Sequence, residues 1–165
     1  MDELKITSKF TIFSNSDELS KSDKELLLKA VDARKNAYAP YSHFRVGASV
    51  LLENGEIHSG NNQENAAYPS GLCAERVALF SVAANFPGIP IKAIAIAAKP
   101  EQFELTEPIT PCGACRQVIA EYELLQGKKI EIIMDAGNKM ILKSTGIENL
   151  LPLAFYNEKL KKEKK

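Results

Sequence analysis

The sequence has little of what most metal and redox chemistry uses. Its 165 residues hold three cysteines and two histidines. An odd thiol count argues against a disulfide framework, and a reducing compartment would disfavour one anyway. An excess of either charge is also missing. The 21 Lys plus Arg balance 21 Asp plus Glu, so no basic field is present to hold a nucleic-acid backbone. No apolar run approaches the ~20 residues of a membrane-spanning helix. The polar start, MDELKITSK, lacks a signal-peptide core. These absences predict a cytoplasmic protein with neither a nucleic-acid nor a membrane partner. The tail EKLKKEKK is basic, but it reads as a solvated or frayed end rather than a binding arm. There is no repeat, low-complexity block or dividing linker either, so one domain is expected.

What is there reads as alternating helices and strands. KITSKFTIF puts Ile6, Phe10 and Ile12 on alternating positions, a short strand. SDKELLLKAVDARKNA opens with a capping box, Ser22 and Glu25, and carries apolar residues at helical spacing until Pro40 stops it. RVGASVLL and EIHSGN flank Asn54-Gly55, a strong hairpin signal. A helix is predicted from about Cys73 to Asn85, then a buried strand over IKAIAIAAK. A further helix runs from Gly113 to about Leu125 and closes at Gly127. KIEIIMD and MILKS are strands about the turn AGNK, and IENLLPLAFYNEKLKK is helical in patches around Pro152. This order is that of a mixed sheet with helices packed on it, the α/β class.

All three thiols lie where a helix begins: Cys73 in GLCAERVAL, and Cys112 and Cys115 in TPCGACRQVI. Unpaired backbone N–H groups and the helix dipole favour the thiolate there. A spacing of three puts the sulfurs of Cys112 and Cys115 on one side of a first turn. A second helix starting alongside could bring Cys73 to the same point. Three thiolates at roughly 2.3 Å would bind Zn²⁺ and leave the fourth tetrahedral position open for water. His43, in PYSHF, would instead close the site into a structural one, and a lone C-x-x-C could also be redox-active. Glu75 favours the open form. Two residues after a thiol, at a helix start, it would set a carboxylate beside the metal's water, where a proton carrier is needed. Taken alone, Glu75 would pass as a first-turn glutamate complementing the dipole.

CAE followed by PCGAC resembles the zinc nucleoside and nucleobase deaminases, including their three-cysteine form. APYSHFRVGA, NNQENAAYPSGLCAERVAL, TPCGACRQVI and NLLPLAF together resemble the small homotetrameric cytidine deaminases, in order and over about Leu26 to Leu160. That likeness implies a three-layer α/β/α fold around a mixed five-stranded sheet. It also implies a catalytic domain over 21–160, flanked by an N-terminal extension (1–20) and a basic tail (161–165).

Position by position, the resemblance implies one zinc per chain on Cys73, Cys112 and Cys115, with Glu75 as proton shuttle and Arg76 donating to the thiolates. It implies Asn62 and Glu64 on the ribose 3′-hydroxyl, and the Ala66 N–H on the pyrimidine carbonyl. Phe44, Val46 and Tyr68 are implied in the nucleoside pocket, and Phe155 in a neighbouring subunit's pocket. The implied activity is hydrolytic deamination of cytidine and deoxycytidine within pyrimidine salvage, by a homotetramer with composite sites. A related aminonucleoside such as blasticidin S is the alternative substrate. A non-catalytic zinc-stabilised binding module, which would need a fourth ligand, is the alternative of another class.

Overall fold

The computed structural model describes residues 1–137 and 140–156. Asn138, Lys139 and residues 157–165, with half of the turn AGNK and the whole tail EKLKKEKK, lie outside the described residues. Six strands form one sheet in the order β1-β6-β5-β4-β2-β3: β1 Thr11–Phe13, β2 Phe44–Leu52, β3 Ile57–Asn61, β4 Ile91–Pro100, β5 Glu131–Asp135 and β6 Ile141–Thr145. Only β4 and β5 pair in parallel. The expected mixed sheet is therefore present, with six strands rather than five. The sixth comes from within residues 1–20, where Thr11, Ile12 and Phe13 add antiparallel to β6 at the sheet edge. That strand is shorter than KITSKFTIF suggested, and Ile6 and Phe10 stay exposed outside it.

Three helices cover the two faces: α1 (Lys21–Ala33) on one, α2 (Ala74–Asn85) and α3 (Gly113–Gln126) on the other. The lack of alternation in IKAIAIAAK now has a reason, since both faces of β4 are covered. Ala93, Ala95 and Ala97 face Leu26, Leu27 and Ala30 of α1, while Ile94 and Ile96 face Ala78, Leu79 and Ile119 of α2 and α3. Small side chains let α1 approach closely. At Gly47 a Cβ would stand 2.1 Å from the Ala30 carbonyl oxygen, and at Gly60 it would stand 2.6 Å from the Ala78 nitrogen. Both helices thus rest on glycine.

Three details depart from expectation. The N-cap of α1 is Ser20, whose hydroxyl accepts from the Asp23 N–H at 3.1 Å, not Ser22. The sequence carries two overlapping Ser-x-x-acid patterns, and the earlier one caps. The helix ends at Ala33 and tightens through a 3₁₀ turn over Arg34–Asn36, well before Pro40. The final helix reduces, among the described residues, to one 3₁₀ turn at Ile147–Asn149. The Leu150 and Leu151 N–H groups both reach the Ile147 carbonyl, and Pro152, without an N–H, cannot continue the ladder. Elsewhere the outline holds. The Asn54-Gly55 turn joins β2 and β3 with Gly55 at φ 90°, and Gly127 closes α3 at φ 63°.

Candidate active site

Cys73 and Cys112 are the N-caps of α2 and α3, and neither side chain caps its own helix. Their sulfurs are therefore free to face each other across the gap between the two helix starts. Cys73 Sγ lies 3.8 Å from Cys112 Sγ, and Cys112 Sγ lies 3.5 Å from Cys115 Sγ. All three sulfurs fall within 4.8 Å of one another. Sulfurs held by ~2.3 Å bonds to a tetrahedral ion stand about 3.8 Å apart, so the cluster fits Zn²⁺. Neither histidine joins it. His43 Nδ1 pairs with Glu101 at 3.2 Å, while His58 pairs with Glu56 and packs on Phe86. Among the described residues this three-cysteine cluster is the candidate metal centre, with no fourth protein ligand.

The electrostatics suit a cation. A hydrogen bond from the Cys115 thiol, joined by Arg76, outweighs burial and pulls Cys73 down to about 5. The same bond, with burial and the nearby Glu75, pushes Cys115 far up. Without a metal, Cys73 thus ionises readily while Cys115 resists ionising. Arg76, one turn into α2, points Nη2 at Cys73 Sγ, 3.8 Å away, and its buried Nε has no hydrogen-bond partner. Glu75 is 5% exposed. Burial first, then the Cys73 charge, raises its pKa, so it can hold a proton at a pH where an exposed glutamate would not.

Above the cluster opens a pocket of about 730 Å³, whose lining includes Phe44, Val46, Asn62, Glu64, Tyr68 and Glu75. Asn62 follows β3 directly and its amide is tied to β2: Oδ1 accepts from the Val46 N–H at 2.8 Å and Nδ2 donates to the Phe44 carbonyl at 2.9 Å. One N–H and one lone pair of the amide stay available to a ligand. Glu64 accepts from the Tyr41 and Ser42 N–H groups at 2.9 and 3.2 Å, and from the Ser42 hydroxyl. Those bonds overcome its partial burial and hold its pKa low.

Two expected residues lie apart. Ala66 is exposed and does not line the pocket. Phe155 is 56% exposed and is likewise absent from its own chain's pocket, its carbonyl accepting from Gln117 Nε2 at 2.6 Å. The sequence reading missed Tyr41 and Ser42, which hold Glu64, and Ile109 and Thr110, which line the pocket. APYSHF carries the signal for the first pair. EQFELTEPIT has no periodicity that would have shown the second.

A family model for the cytidine and deoxycytidylate deaminase zinc-binding region matches residues 20–128. The chain belongs to this deaminase family. The match spans the thiols, Glu75 and the Asn62–Glu64 segment alike. A cytidine deaminase of Sporosarcina psychrophila is 41% identical over 138 residues, covering 83% of this chain and 93% of that protein. The crystal structure of cytidine deaminase from Burkholderia pseudomallei superposes with a TM-score of 0.67 at 42% identity, covering 79% of this chain and 97% of that one. A blasticidin-S deaminase of Bacillus cereus is more distant, 28% identical over 140 residues, which is 83% of this chain and 94% of that protein.

Proposed function

We propose that the protein is a zinc-dependent cytidine deaminase, converting cytidine and deoxycytidine with water to uridine and deoxyuridine plus ammonia. The observation that carries this reading is the buried Glu75 beside three converging sulfurs, at the floor of a pocket walled by Phe44 and Val46 and edged by Asn62 and Glu64. Cys73, Cys112 and Cys115 would hold one Zn²⁺ per chain. When bound, the ion supplies Lewis acidity that makes water nucleophilic near neutral pH.

The chain's own groups do the rest. Glu75 takes the proton of the attacking water and delivers it to N3 of the base, which lowers the cost of losing aromaticity at C4. It then carries the proton of the new C4 hydroxyl to the exocyclic amino nitrogen, so the C4–N bond breaks, ammonia departs and a carbonyl forms. Three thiolates on a divalent ion leave a net charge of −1, which would weaken that acidity. Arg76 withdraws electron density from the sulfurs and restores it. Glu64, an ionised acceptor, would accept from a ribose hydroxyl to which the remaining Asn62 N–H donates, and a substrate lacking that hydroxyl would leave this N–H without its partner. Tyr68, which lines the pocket, completes the set of groups around the substrate.

The assembly follows from the same reading. Leu153 and Phe155 lie exposed beside Ala154, in a segment too apolar to be left in water. In a homotetramer, Phe155 would close a neighbour's pocket. The catalytic unit is then one domain from residue 21 onward, with 1–20 an extension that borders the sheet and 161–165 a basic tail. The balanced charge and the lack, among the described residues, of any helix long and apolar enough to cross a membrane support a cytoplasmic nucleoside enzyme of pyrimidine salvage.

The test is an ultraviolet assay of cytidine, deoxycytidine and blasticidin S, before and after chelation and with zinc added back. Loss of cytidine absorbance that chelation abolishes and zinc restores is the expected result. Turnover of blasticidin S alone would move the substrate to that class, and no turnover with stoichiometric zinc would make the protein a binding module.

A further inference from the structure

The pocket wall away from the thiols rests on residues 37–43, a connection with no regular structure beyond an isolated bridge at Tyr38. From one side Glu64 grips it at Tyr41 and Ser42. A second carboxylate, outside the pocket, grips it from the other. Glu101, just past β4, accepts from Arg45 Nε at 2.8 Å on Oε1 and faces His43 Nδ1 at 3.2 Å through Oε2. Its own N–H donates to the His43 carbonyl at 3.0 Å. Arg45 passes the restraint on, donating through Nη1 to the Lys35 and Ala37 carbonyls at 3.3 and 3.1 Å.

The backbone at the centre of this network is unusual. His43 has φ 55°, and among the described residues it is the one non-glycine with positive φ. Such a conformation costs free energy and persists where the surroundings over-determine it. Arg45 and then His43 hold the Glu101 carboxyl below its ordinary pKa, which keeps it charged as an acceptor. Immediately beyond it, the Phe103 ring tilts against Phe44 at 6.4 Å, and the chain runs on past Ile109 and Thr110 to Cys112.

Accepting the cytidine deaminase reading, we infer that Glu101 is a positioning residue for substrate binding. By holding His43 and Arg45 it fixes residues 37–43, and through them the Phe44 wall and the Ser42–Glu64 clamp. It touches neither the thiols nor Glu75, so its effect falls on binding rather than on the chemical step.

The chain has no tryptophan, so Phe103→Trp installs a single reporter against the Phe44 wall, readable without any substrate. In that background Glu101→Gln is expected to red-shift emission and raise iodide quenching. In the native background the zinc-loaded Glu101→Gln protein should show KM for cytidine raised about two- to five-fold, the range exposed ion pairs allow, with kcat and zinc content unchanged. In an Arg45→Met background the same change should add less than in the native background, because one of the two partners of Glu101 is gone and His43 alone remains. Unchanged KM, unchanged emission, or a fall in kcat at constant KM would overturn the assignment. If the wild-type protein leaves cytidine untouched, it is the functional reading that fails, and the emission measurement still decides whether Glu101 holds the wall.

Discussion

At the scale of single residues, the site depends on carboxylates whose surroundings set different protonation. Glu64 is held charged by hydrogen bonds, whereas Glu75 is pushed toward its neutral form by burial. A group that must pick up and release protons within one cycle is served by the second environment. Glu75→Gln keeps the shape and removes the carrier, so turnover should fall at least ~10²–10⁴-fold, the usual worth of one acid–base step. Zinc content measured by atomic absorption should not change, and near-normal turnover would place the proton carrier elsewhere. A third carboxylate, half-buried, serves stability. Glu123 on α3 accepts from the Ile130 N–H at 2.8 Å and the Ile147 N–H at 3.1 Å, and burial raises its pKa above the ordinary 4.5. An acid with a raised folded-state pKa contributes stability that is full below the unfolded value and is lost as pH rises through the folded one. The wild type should therefore lose stability relative to Glu123→Gln as pH rises above about 4.5. Paired urea melts at pH 4.5 and 8 check this, and a constant difference between the two proteins would refute it.

At the scale of elements, Cys73 and Glu75 are placed by how closely α2 lies on the sheet. Gly60 of β3 sits against α2's first turns, 2.6 Å from the Ala78 nitrogen and 3.0 Å from the Ala74 carbonyl measured from where a Cβ would be. Gly60→Ala must push back backbone rather than a flexible side chain. We expect it to destabilise by ~1–3 kcal/mol, as overpacking does, and to weaken zinc retention, because Cys73 and Glu75 ride on the displaced turn. A melt and a chelator competition would test both, and unchanged values would mean that α2 can shift freely. The glycine's role was invisible in the sequence, since it depends on which helix lies over which strand. Features set by local chemistry were legible: the hairpin at Asn54-Gly55, the stop at Gly127, and the cysteines as helix starts. Features decided by competition were not. Ser20 caps α1 although Ser22 offers the same pattern. The short β1 owes its place to the free edge of β6 rather than to its own alternation. The Asn62 amide, read as a ligand group, also braces β2, which spacing alone could not reveal.

At the scale of the whole molecule, the described chain forms the pocket but leaves a large aromatic without a role in it. Two bonds fix where that aromatic goes: Arg116 Nη1 donates to the Leu150 carbonyl at 2.8 Å, and Gln117 Nε2 to the Phe155 carbonyl. The same Arg116 holds the Pro111 carbonyl and Thr110 Oγ1, next to Cys112. The C-terminal segment is thus pinned by its backbone to the first turns of α3, with the Phe155 side chain turned out to solvent. A phenyl ring held outward on a fixed backbone suits a surface meant to be covered by another subunit. If it reaches a neighbour's pocket, Phe155→Ala should raise KM for cytidine and leave zinc content alone, since burying an aromatic is worth ~1–3 kcal/mol. Composite sites allow a sharper measurement. Glu75→Gln subunits should be nearly inactive through their own pockets, and Phe155→Ala subunits should weaken substrate binding in the pockets they complete. Unfolded together and reassembled, the two should form some sites that combine an intact Glu75 from one chain with an intact Phe155 from the other. Substrate affinity at those sites should return to the wild-type value, and the recovered fraction should follow the mixing ratio. Light scattering of the native protein should give four chains. A fully active monomer, or a mixture no better than the average of its parts, would confine Phe155 to the surface of its own chain.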